Sequence, residues 1–437
     1  MHVALSCLSS AAGLWSYWLG CAWTAADVKR YQDRRIRGLV ARAALNPFYS
    51  RLWREAGADP LSLRTVDDLP RLPIVSKGQM QEADAELPPP AIDRSRLVRI
   101  RTTGSTGNPM EIRRHPAEDK LLSAFRIRAF ANYGLSPWDA RVHLHFVADP
   151  RPARRRARQY PWWMRVGLFE RYALSFAEGI GESFDTARQL RPAMIGGHAG
   201  AIWRMSNEVP HERLRALGLK FITPSVETVP PLAKKQISHA FGAPAYITYG
   251  STEFNLLAAE CPQTGLLHLN ELCNYVEVLT GGRPATEGES GQVVATNLHS
   301  EIVPFIRFDL GDWATMGPER CPCGAPFRTL QAVEGRMLEL FPLPDGGSIH
   351  PFQLAYPLLD FQQWLGEYRI IQERLDLIRI PFTVLRRQDA PAGAESLIAS
   401  TAARAAGRRV RVEAVRVEAL PTFEKGKNKL FESRLDS

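Results

Sequence analysis

The sequence predicts an α/β protein whose large N-terminal domain is built on a mixed, mainly parallel sheet. Strand-like apolar runs alternate along the chain with helical patterns, and this alternation is typical of parallel sheets. The strand runs lie at 142–147, 221–223 and 246–248. The helical patterns lie at 27–57 (broken at Asn46-Pro47), 117–133, 183–194, 200–208 and 230–241.

Two changes of pattern divide the rest of the chain. From 265 to 335, short strand runs are separated by Gly- and Glu-rich turns, which indicates a β-rich subdomain. The last hundred residues carry strands near 368–372, 378–385 and 410–418 around a helix at 394–406, a small α+β unit. We therefore expect an N-terminal domain over 1–335, with the β-rich part at about 258–335, and a C-terminal domain over 336–437.

Composition excludes several classes of protein. The 437 residues are 45% hydrophobic and 23% charged, which is ordinary for a globular chain and indicates neither disorder nor fibrous repeats. A net charge of +9 suits an anionic substrate, an acidic partner or a membrane surface. The basic residues are too dispersed to predict nucleic-acid binding, and no basic stretch with interleaved aromatic residues occurs.

The N-terminal stretch 3–26 is apolar and contains four serines and several aromatic residues. The first 28 residues contain no Lys or Arg, which argues against a signal peptide. The serines and aromatic residues make it a poor membrane span, so we expect a packed helix, with an interfacial anchor as the alternative. Six scattered cysteines form no disulfide framework and indicate a reducing, cytoplasmic compartment.

A glycine- and hydroxyl-rich stretch lies at 101–109. Hydroxyl groups donate hydrogen bonds to phosphate, and glycines let backbone N–H groups approach an anion closely. The stretch follows a strand-like run and precedes a helical pattern, so it is either a phosphate cradle or a polar surface turn. Its candidate phosphate-binding residues are Thr102, Thr103, Gly104, Ser105, Thr106 and Gly107.

Three further stretches carry reactive side chains. Tyr249-Gly250-Ser251-Thr252-Glu253 ends a strand, where α/β sheets place ligands; its tyrosine can face a purine and its glutamate can hold Mg²⁺. Asp312 follows a glycine at another strand end and can grip two ribose hydroxyls. The segment 421–429 holds three lysines. Taken singly, each stretch is equally typical of a surface loop.

Together and in this order, these motifs resemble the acyl-adenylate-forming superfamily. The chain is most similar to the phenylacetate–CoA ligase branch and the related capsule-biosynthesis adenylases. The resemblance runs from Asn46-Pro47-Phe48-Tyr49 to the C-terminus and includes the segment Leu69-Pro70-Arg71-Leu72-Pro73. It implies a C-terminal domain that rotates between two half-reactions.

The resemblance also implies a role for each motif. Residues 102–107 would close over the β- and γ-phosphates of ATP, Tyr249 would lie beside adenine, Thr252 would contact the α-phosphate, and Glu253 would ligate Mg²⁺. Asp312 would bind the ribose, Arg336 would lie at the domain junction, and Lys427 would be the catalytic lysine. Gly250 and Ser251 would complete the nucleotide turn.

Two positions depart from the family pattern. A lysine is usual near the end of the phosphate loop, whereas this chain has Asn108 and Met110, so hydroxyls and backbone would orient the pyrophosphate. An Asp or Lys hinge usually follows the Gly-Arg pair, whereas this chain has Leu338, followed by Glu339. Either Glu339 serves as the hinge or the domain rotation differs.

The implied reaction is ATP-dependent activation of a carboxylic acid to acyl-AMP, followed by transfer to a thiol. Because a carboxylate is a weak nucleophile, the enzyme must position two anions and neutralise developing charge. Mg²⁺ and Lys427 would supply that charge. The thiol would be that of CoA, and the alternative is the phosphopantetheine of an acidic carrier protein. Five arginines in eight residues (Arg151, Arg154, Arg155, Arg156, Arg158) would suit either partner or a solvated loop.

A structural zinc site is a further expectation. Cys321 and Cys323 form a close pair, and Cys261 and His268 lie about sixty residues earlier. Three thiolates and one imidazole make a closed tetrahedral set. Similar sets occur in the branch that the chain resembles; the alternative is that these thiols are merely buried.

In this superfamily the acid pocket lies between the phosphate loop and the Tyr-Gly turn. We expect its lining to include His143, Gly197, His198, Ser225 and Glu227, with small residues near 196–201 leaving room for a flat aromatic or aryl-alkanoic acid. A non-catalytic nucleotide-binding scaffold is the alternative of another class. The sequence is compatible with a monomer or a homodimer.

Overall fold

A computed structural model provides the structure of the protein. It describes residues 23–84, 86–87, 92–101, 110–145, 170–176, 179–225, 229, 231–300, 302–333, 341–346, 348–349, 351–361, 364–384, 390–407, 409–418, 420 and 431–435.

The helices begin and end at recognisable capping residues. Thr24 and Asp27 form a reciprocal capping box, and Asn46 caps the helix that starts with Pro47, which explains the predicted break. In chain order the α-helices are α1 (Ala25–Ala43), α2 (Pro47–Glu55), α3 (Lys77–Glu82), α4 (Pro116–Ala131), α5 (Ile180–Leu190), α6 (Ala199–Glu208), α7 (His211–Arg215), α8 (Pro231–Phe241), α9 (Pro351–Ala355) and α10 (Ala394–Ala405).

The strands form one parallel sheet, two larger sheets and two hairpins. They are β1 (Val98–Arg101), β2 (Glu111–Arg114), β3 (Arg141–His145), β4 (Arg171–Ser175), β5 (Met194–His198), β6 (Phe221–Ser225), β7 (Thr248–Tyr249), β8 (Ala258–Glu260), β9 (Leu267–Leu269), β10 (Asn274–Thr280), β11 (Arg283–Pro284), β12 (Ser290–Asn297), β13 (Phe308–Met316), β14 (Thr329–Val333), β15 (Phe341–Pro342), β16 (Ser348–Ile349), β17 (Leu365–Tyr368), β18 (Ile370–Arg374), β19 (Leu377–Val384), β20 (Arg411–Arg416) and β21 (Phe431–Ser433).

The parallel sheet predicted from the alternating pattern is present, with strand order β4-β3-β5-β6. The run predicted at 246–248 is not one of its strands, because β7 is limited to Thr248–Tyr249 and pairs antiparallel with β8. One face carries Val142, Leu144 and Ile222, which belong to an apolar cluster with residues of α5, α6 and α8. On the other face, Met194 and Phe221 pack against residues of α4. Helices on both faces explain why these strands are nearly continuous apolar runs.

The second large sheet is antiparallel, with strand order β11-β10-β12-β13-β14-β9-β8-β7. Its apolar residues share one core with α1, α2 and the segment 63–87. Val75 forms a parallel bridge with Phe308, so the N-terminal connector is attached to the start of β13. This sheet covers the β-rich region that the sequence predicts.

The C-terminal α+β unit is built on β19. Strands β17 and β18 pair with successive parts of one edge of β19, at 382–384 and 377–379, while β20 pairs parallel to its other edge. The face of α10 that carries Ile398 and Ala402 packs into the same apolar cluster as Ile378 and Ile380.

Two expectations need correction. The helix predicted at 183–194 ends at Leu190, because Arg191 adopts a left-handed conformation (φ 46°) and Met194 starts β5. The glycine-rich stretch does not lead directly into a helix: it connects the antiparallel strands β1 and β2, and Arg101 lies opposite Glu111. Among the described residues, no helix is both long and apolar enough to cross a membrane.

Candidate active site

The turn at 249–253 follows the short strand β7 and has a tightly constrained backbone. A Cβ atom on Gly250 would lie 2.1 Å from the Asn255 carbonyl oxygen, so a larger residue does not fit there. Asn255 itself has a positive φ of 64°, and its N–H donates to the Ser251 carbonyl at 2.8 Å. The Ser251 hydroxyl accepts a hydrogen bond from the Phe254 N–H at 3.3 Å. The local sequence therefore fixes the shape of the turn.

Arg114, at the end of β2, braces the same turn from outside. Its Nη2 donates to the carbonyl oxygens of Thr252 (2.5 Å) and Glu253 (2.6 Å). The guanidinium is buried, with the carboxylates of Glu118 and Asp119 at 3.9 and 3.7 Å. Because β2 directly follows residues 102–109, Arg114 ties the strand after the glycine-rich stretch to the turn.

Asp312 lies in the middle of β13, and not at a strand end as predicted, and it reaches the same turn from the antiparallel sheet. The Tyr249 hydroxyl donates to Asp312 Oδ2 at 2.9 Å. Just before Asp312, Gly311 has a φ of 69° and donates its N–H to Asp309 Oδ1 at 2.7 Å. Two motifs more than sixty residues apart in sequence are thus in direct contact.

A buried ion pair fixes the start of β13. Arg307, whose φ is 48°, donates to both carboxylate oxygens of Glu277 at 3.0 and 3.1 Å. A third nitrogen, Nη1, donates to the Leu72 carbonyl at 2.5 Å. This bidentate geometry satisfies the buried charge and holds the backbone that leads to Asp312.

The predicted acid-pocket residues lie on neighbouring parallel strands. His143 is on β3, Gly197 and His198 end β5, and Ser225 ends β6, opposite His198. His198 and Ser225 are partly exposed at the carboxyl ends of the strands, whereas His143 lies one step inward and is 5% exposed. Ligands of parallel sheets bind at these strand ends.

The glycines of β5 leave no open space. A Cβ atom on Gly196 would lie 2.3 Å from Thr223 Oγ1, and one on Gly197 would lie 2.2 Å from the Leu144 carbonyl oxygen. Their small size serves close strand packing, so our expectation that they make room for a flat ring was wrong.

Several predicted site residues lie outside the described residues. These are Thr102, Thr103, Gly104, Ser105, Thr106, Gly107, Glu227, Arg336, Leu338, Glu339, Lys427 and the arginines at 151–158. The structure therefore brings together Tyr249, Gly250, Ser251, Thr252, Glu253 and Asp312 as one group, and the nucleotide-binding roles of these and the remaining residues stay predictions.

The four predicted metal ligands converge. Cys261, His268, Cys321 and Cys323 each offer one ligand atom, and these atoms all lie within 4.8 Å of one another. Cys261 begins the turn between β8 and β9, His268 is on β9, and the two other cysteines lie in the turn before β14, which pairs with β9. Strand pairing thus unites positions that are far apart in sequence.

This donor set fits zinc. Tetrahedral Zn²⁺ takes sulfur at about 2.3 Å and nitrogen at about 2.0 Å, so its ligand atoms lie within about 4 Å of one another. The 4.8 Å that bounds the four ligand atoms here is slightly wider, and Cys323 Sγ and His268 Nε2 are 3.4 Å apart. Burial and the charge of Arg128 lower the pKa of His268, which favours the neutral imidazole that binds metal. Four protein ligands would leave no open position for a substrate.

Comparison with known proteins agrees with this geometry. No model of a known protein family matches the chain. A phenylacetate–coenzyme A ligase of Thermus thermophilus is 24% identical over 369 residues, which cover 79% of this chain and 78% of that enzyme. A phenylacetate–coenzyme A ligase of Escherichia coli is 22% identical over 367 residues, 79% of each chain.

Solved structures of 2-hydroxyisobutyryl-CoA ligase share the architecture. The complex with 2-HIB-AMP and CoA in the thioesterification state has a TM-score of 0.65 and 23% identity, covering 94% of this chain and 90% of that one. The postadenylation state has a TM-score of 0.63, covering 93% and 90%. The fold is that of the AMP-forming acyl-CoA ligases. The resemblance read from the motifs is confirmed, as is the α/β architecture.

Sequence reasoning missed Arg114 as part of this candidate site. Arg114 donates hydrogen bonds to two backbone carbonyls that are 138 and 139 residues away in sequence. No local sequence pattern predicts such a contact. Its only sequence signal is the pair Glu118 and Asp119, four and five residues later, which identifies it as a charge that is paired within the protein.

Proposed function

We propose that this protein activates a carboxylic acid with ATP, forming acyl-AMP and pyrophosphate, and transfers the acyl group to the thiol of CoA. The observation that carries the proposal is the contact between Tyr249 and Asp312, which joins the nucleotide-facing turn to the ribose-binding position. The curated phenylacetate–coenzyme A ligases and the solved ligase structures support the same activity.

The described residues divide the work of adenylation. The Tyr249 ring would lie along adenine while its hydroxyl holds Asp312, whose carboxylate would accept hydrogen bonds from the ribose hydroxyls. Thr252 would contact the α-phosphate. The backbone of this turn is fixed by Arg114 and Asn255 before substrate arrives, so little reorganisation is needed in the transition state.

Charge neutralisation would come from Mg²⁺ held by Glu253 and from Lys427. The Glu253 carboxylate, on a residue that is 8% exposed, would hold Mg²⁺, which neutralises phosphate charge. Lys427 would stabilise the charge on the phosphorus undergoing attack, and residues 102–107 would orient the pyrophosphate. Arg336 would sit at the junction about which the C-terminal domain, with Leu338 or Glu339 at its hinge, rotates before thiol attack.

The acid would enter at the carboxyl ends of β3, β5 and β6. His198, Ser225 and Glu227 would line the entrance, with His143 deeper inside. Because the strand glycines are closely packed and leave no open space, the side chains around them would set the shape of the pocket. An aryl acid would match phenylacetate, the acid for which the related ligases are named.

Product analysis tests both half-reactions. The enzyme is incubated with ATP, Mg²⁺ and a panel of acids, and AMP and acyl-CoA are quantified by mass spectrometry. We expect AMP and an acyl-CoA with at least one acid. A phosphopantetheinylated carrier protein is offered in parallel. Acyl-carrier formation without acyl-CoA would identify the carrier as the acceptor, and absence of AMP with every acid would favour a nucleotide-binding scaffold.

We also propose that Cys261, His268, Cys321 and Cys323 hold a structural Zn²⁺. Their convergence and their donor chemistry support it. The ion would join the β8–β9 turn to the loop before β14, at the end of the sheet that also carries Asp312. Its role would be to fix those loops, since the ligand set is complete without substrate.

A further inference from the structure

A buried polar layer separates α4 from the parallel sheet. Side chains alternate along a strand, so His143 and His145 of β3 lie on the face opposite Val142 and Leu144. The paired positions of β4 place Arg171 on that same face. Helix α4 packs over this face through Phe130 against Phe221 and carries Arg126. A face covered by a helix is normally apolar, so these cations need an explanation.

Three nitrogens in this layer are buried and have no hydrogen-bond partner among the described residues: Arg126 Nε, Arg171 Nε and His143 Nε2. In the described part of the chain, no carboxylate lies within ion-pair distance of Arg126 or Arg171. Glu118 and Asp119 pair with Arg114, and the charge of Asp119 acts on Arg126 only from a greater distance. Buried charges without partners are costly, and natural proteins rarely keep them without a ligand.

The charges of these groups act on one another. Burial and the nearby charge of Arg171 lower the pKa of the Arg126 guanidinium to about 9, so it remains protonated at neutral pH. Burial and the charges of Arg171 and His145 hold the pKa of His143 well below its usual range. The layer thus presents two guanidinium cations and a neutral imidazole, which together suit a small anion.

The layer continues the acid pocket inward. His145, at the carboxyl end of β3, is partly exposed and lies 3.5 Å from Arg171 Nη2. Its ring centroid lies 6.2 Å from that of His143. The charge of Arg114, which donates hydrogen bonds to the Thr252 and Glu253 carbonyls, also lowers the pKa of Arg126. Arg126 therefore lies within electrostatic range of the arginine that holds the nucleotide turn.

We propose that Arg126, Arg171 and His143 bind a second anionic group on the acid, so that the substrate is a dicarboxylate or an equally anionic aryl acid. The inference rests on the proposed function. One carboxylate would meet ATP beside Thr252, and the other would receive hydrogen bonds from Arg126 and Arg171 at the inner end of the pocket.

Matched acid pairs test this inference. Each pair replaces one carboxylate by a methyl group: homophthalate against 2-methylphenylacetate, and succinate against butanoate. Acid-dependent exchange of pyrophosphate into ATP gives kcat/KM for each. We expect the wild-type protein to prefer the diacid by about tenfold or more, since a hydrogen-bonded charge pair discriminates by this factor.

Variants assign the preference to the cations. Arg126→Gln should lower kcat/KM for the diacid about 10- to 100-fold and leave the monoacid within about threefold. Arg126→Lys should retain part of the preference, and Arg188→Gln, an exposed arginine on α5, should match wild type. Thermal unfolding provides a second readout: the preferred diacid should raise the unfolding temperature of wild type but not of Arg126→Gln.

The outcomes separate the two proposals. If the monoacid is preferred, or if Arg126→Gln lowers both members of a pair equally, the second anion site is wrong while acid activation stands. If no acid supports exchange and no diacid raises the unfolding temperature, both are wrong.

Discussion

The Tyr249 hydroxyl donates a hydrogen bond of 2.9 Å to Asp312, joining the turn after β7 to the middle of β13. This bond orients the carboxylate that we propose grips the ribose, and it holds the tyrosine ring at the edge of the same site. Binding of ATP should therefore depend on the hydroxyl as well as on the ring.

Removing only this hydroxyl should weaken nucleotide binding. For Tyr249→Phe we expect a rise of about tenfold in KM for ATP, because the hydrogen bond involves a charged acceptor. The free energy of unfolding should change by less than about 1.5 kcal/mol. Tyr172→Phe is the matched control, since that hydroxyl bonds to Glu170 elsewhere in the protein. An unchanged KM for ATP would contradict the role of the bond.

Gly250 should tolerate no side chain. A Cβ 2.1 Å from the Asn255 carbonyl would displace the turn, and a misplacement of about 1 Å in a catalytic group costs on the order of 100-fold in rate. We expect Gly250→Ala to lose about that much exchange activity. Gly181→Ala, where the added methyl group meets nothing within 4 Å, should keep full activity. Equal activity of the two variants would refute the constraint.

Replacement of Arg114 should lower both the free energy of unfolding and the rate of turnover. Arg114→Met leaves the buried Glu118 without its cation and the Thr252 and Glu253 carbonyls without their donor. Breaking a buried pair in this way costs about 3–5 kcal/mol in the free energy of unfolding. Arg204→Met removes a more exposed pair with Glu208 and should cost about 0.5 kcal/mol or less. Denaturant unfolding curves measure both, and equal costs would overturn this interpretation.

His299 should make stability depend on pH. Its Nε2 lies 2.9 Å from the Leu272 carbonyl and its Nδ1 lies 3.2 Å from Arg35, an arrangement that suits the neutral ring. Burial, with the charge of Arg35, lowers the pKa of His299 to about 3. Between about pH 6.5, the pKa of histidine in the unfolded chain, and about pH 3, His299 is protonated in the unfolded chain and neutral in the folded protein.

Stability should therefore be full above about pH 6.5 and fall as pH decreases, by up to about 1.4 kcal/mol per pH unit from this group. Urea unfolding at pH 7.5 and pH 5 should show a smaller pH-dependent loss in His299→Gln than in wild type. His239→Gln, which removes an exposed ring, should follow the wild-type dependence. An identical loss in all three proteins would contradict this assignment.

The metal proposal predicts a zinc content of about one equivalent per chain. Cys321→Ser combined with Cys323→Ser should abolish zinc retention and lower the unfolding temperature, since binding energy of a structural zinc adds to folding energy. Cys273→Ser, which alters a buried thiol outside the cluster, should retain zinc. Absence of zinc from the wild-type protein, or its retention in the double variant, would refute the site.

The sequence predicted what depends on local pattern. The alternation around Val142, Ile222 and the helices between them was sufficient for the parallel sheet, and the cysteine and histidine spacing was sufficient for the cluster. The sequence did not predict contacts between groups that are far apart along the chain. Arg114 reaches carbonyls of another motif, and Gly196 is small because Thr223 lies against it, which no one-dimensional pattern records.

The most direct test is the exchange of labelled pyrophosphate into ATP in the presence of Mg²⁺ and a panel of acids, without CoA. Adenylation alone suffices for this exchange, so we expect it to depend on an added acid and to fall at least about 100-fold in Lys427→Ala, a loss in the range of a transition-state charge contact. Absence of exchange with every acid in the panel, or exchange that is unchanged in Lys427→Ala, would contradict the account.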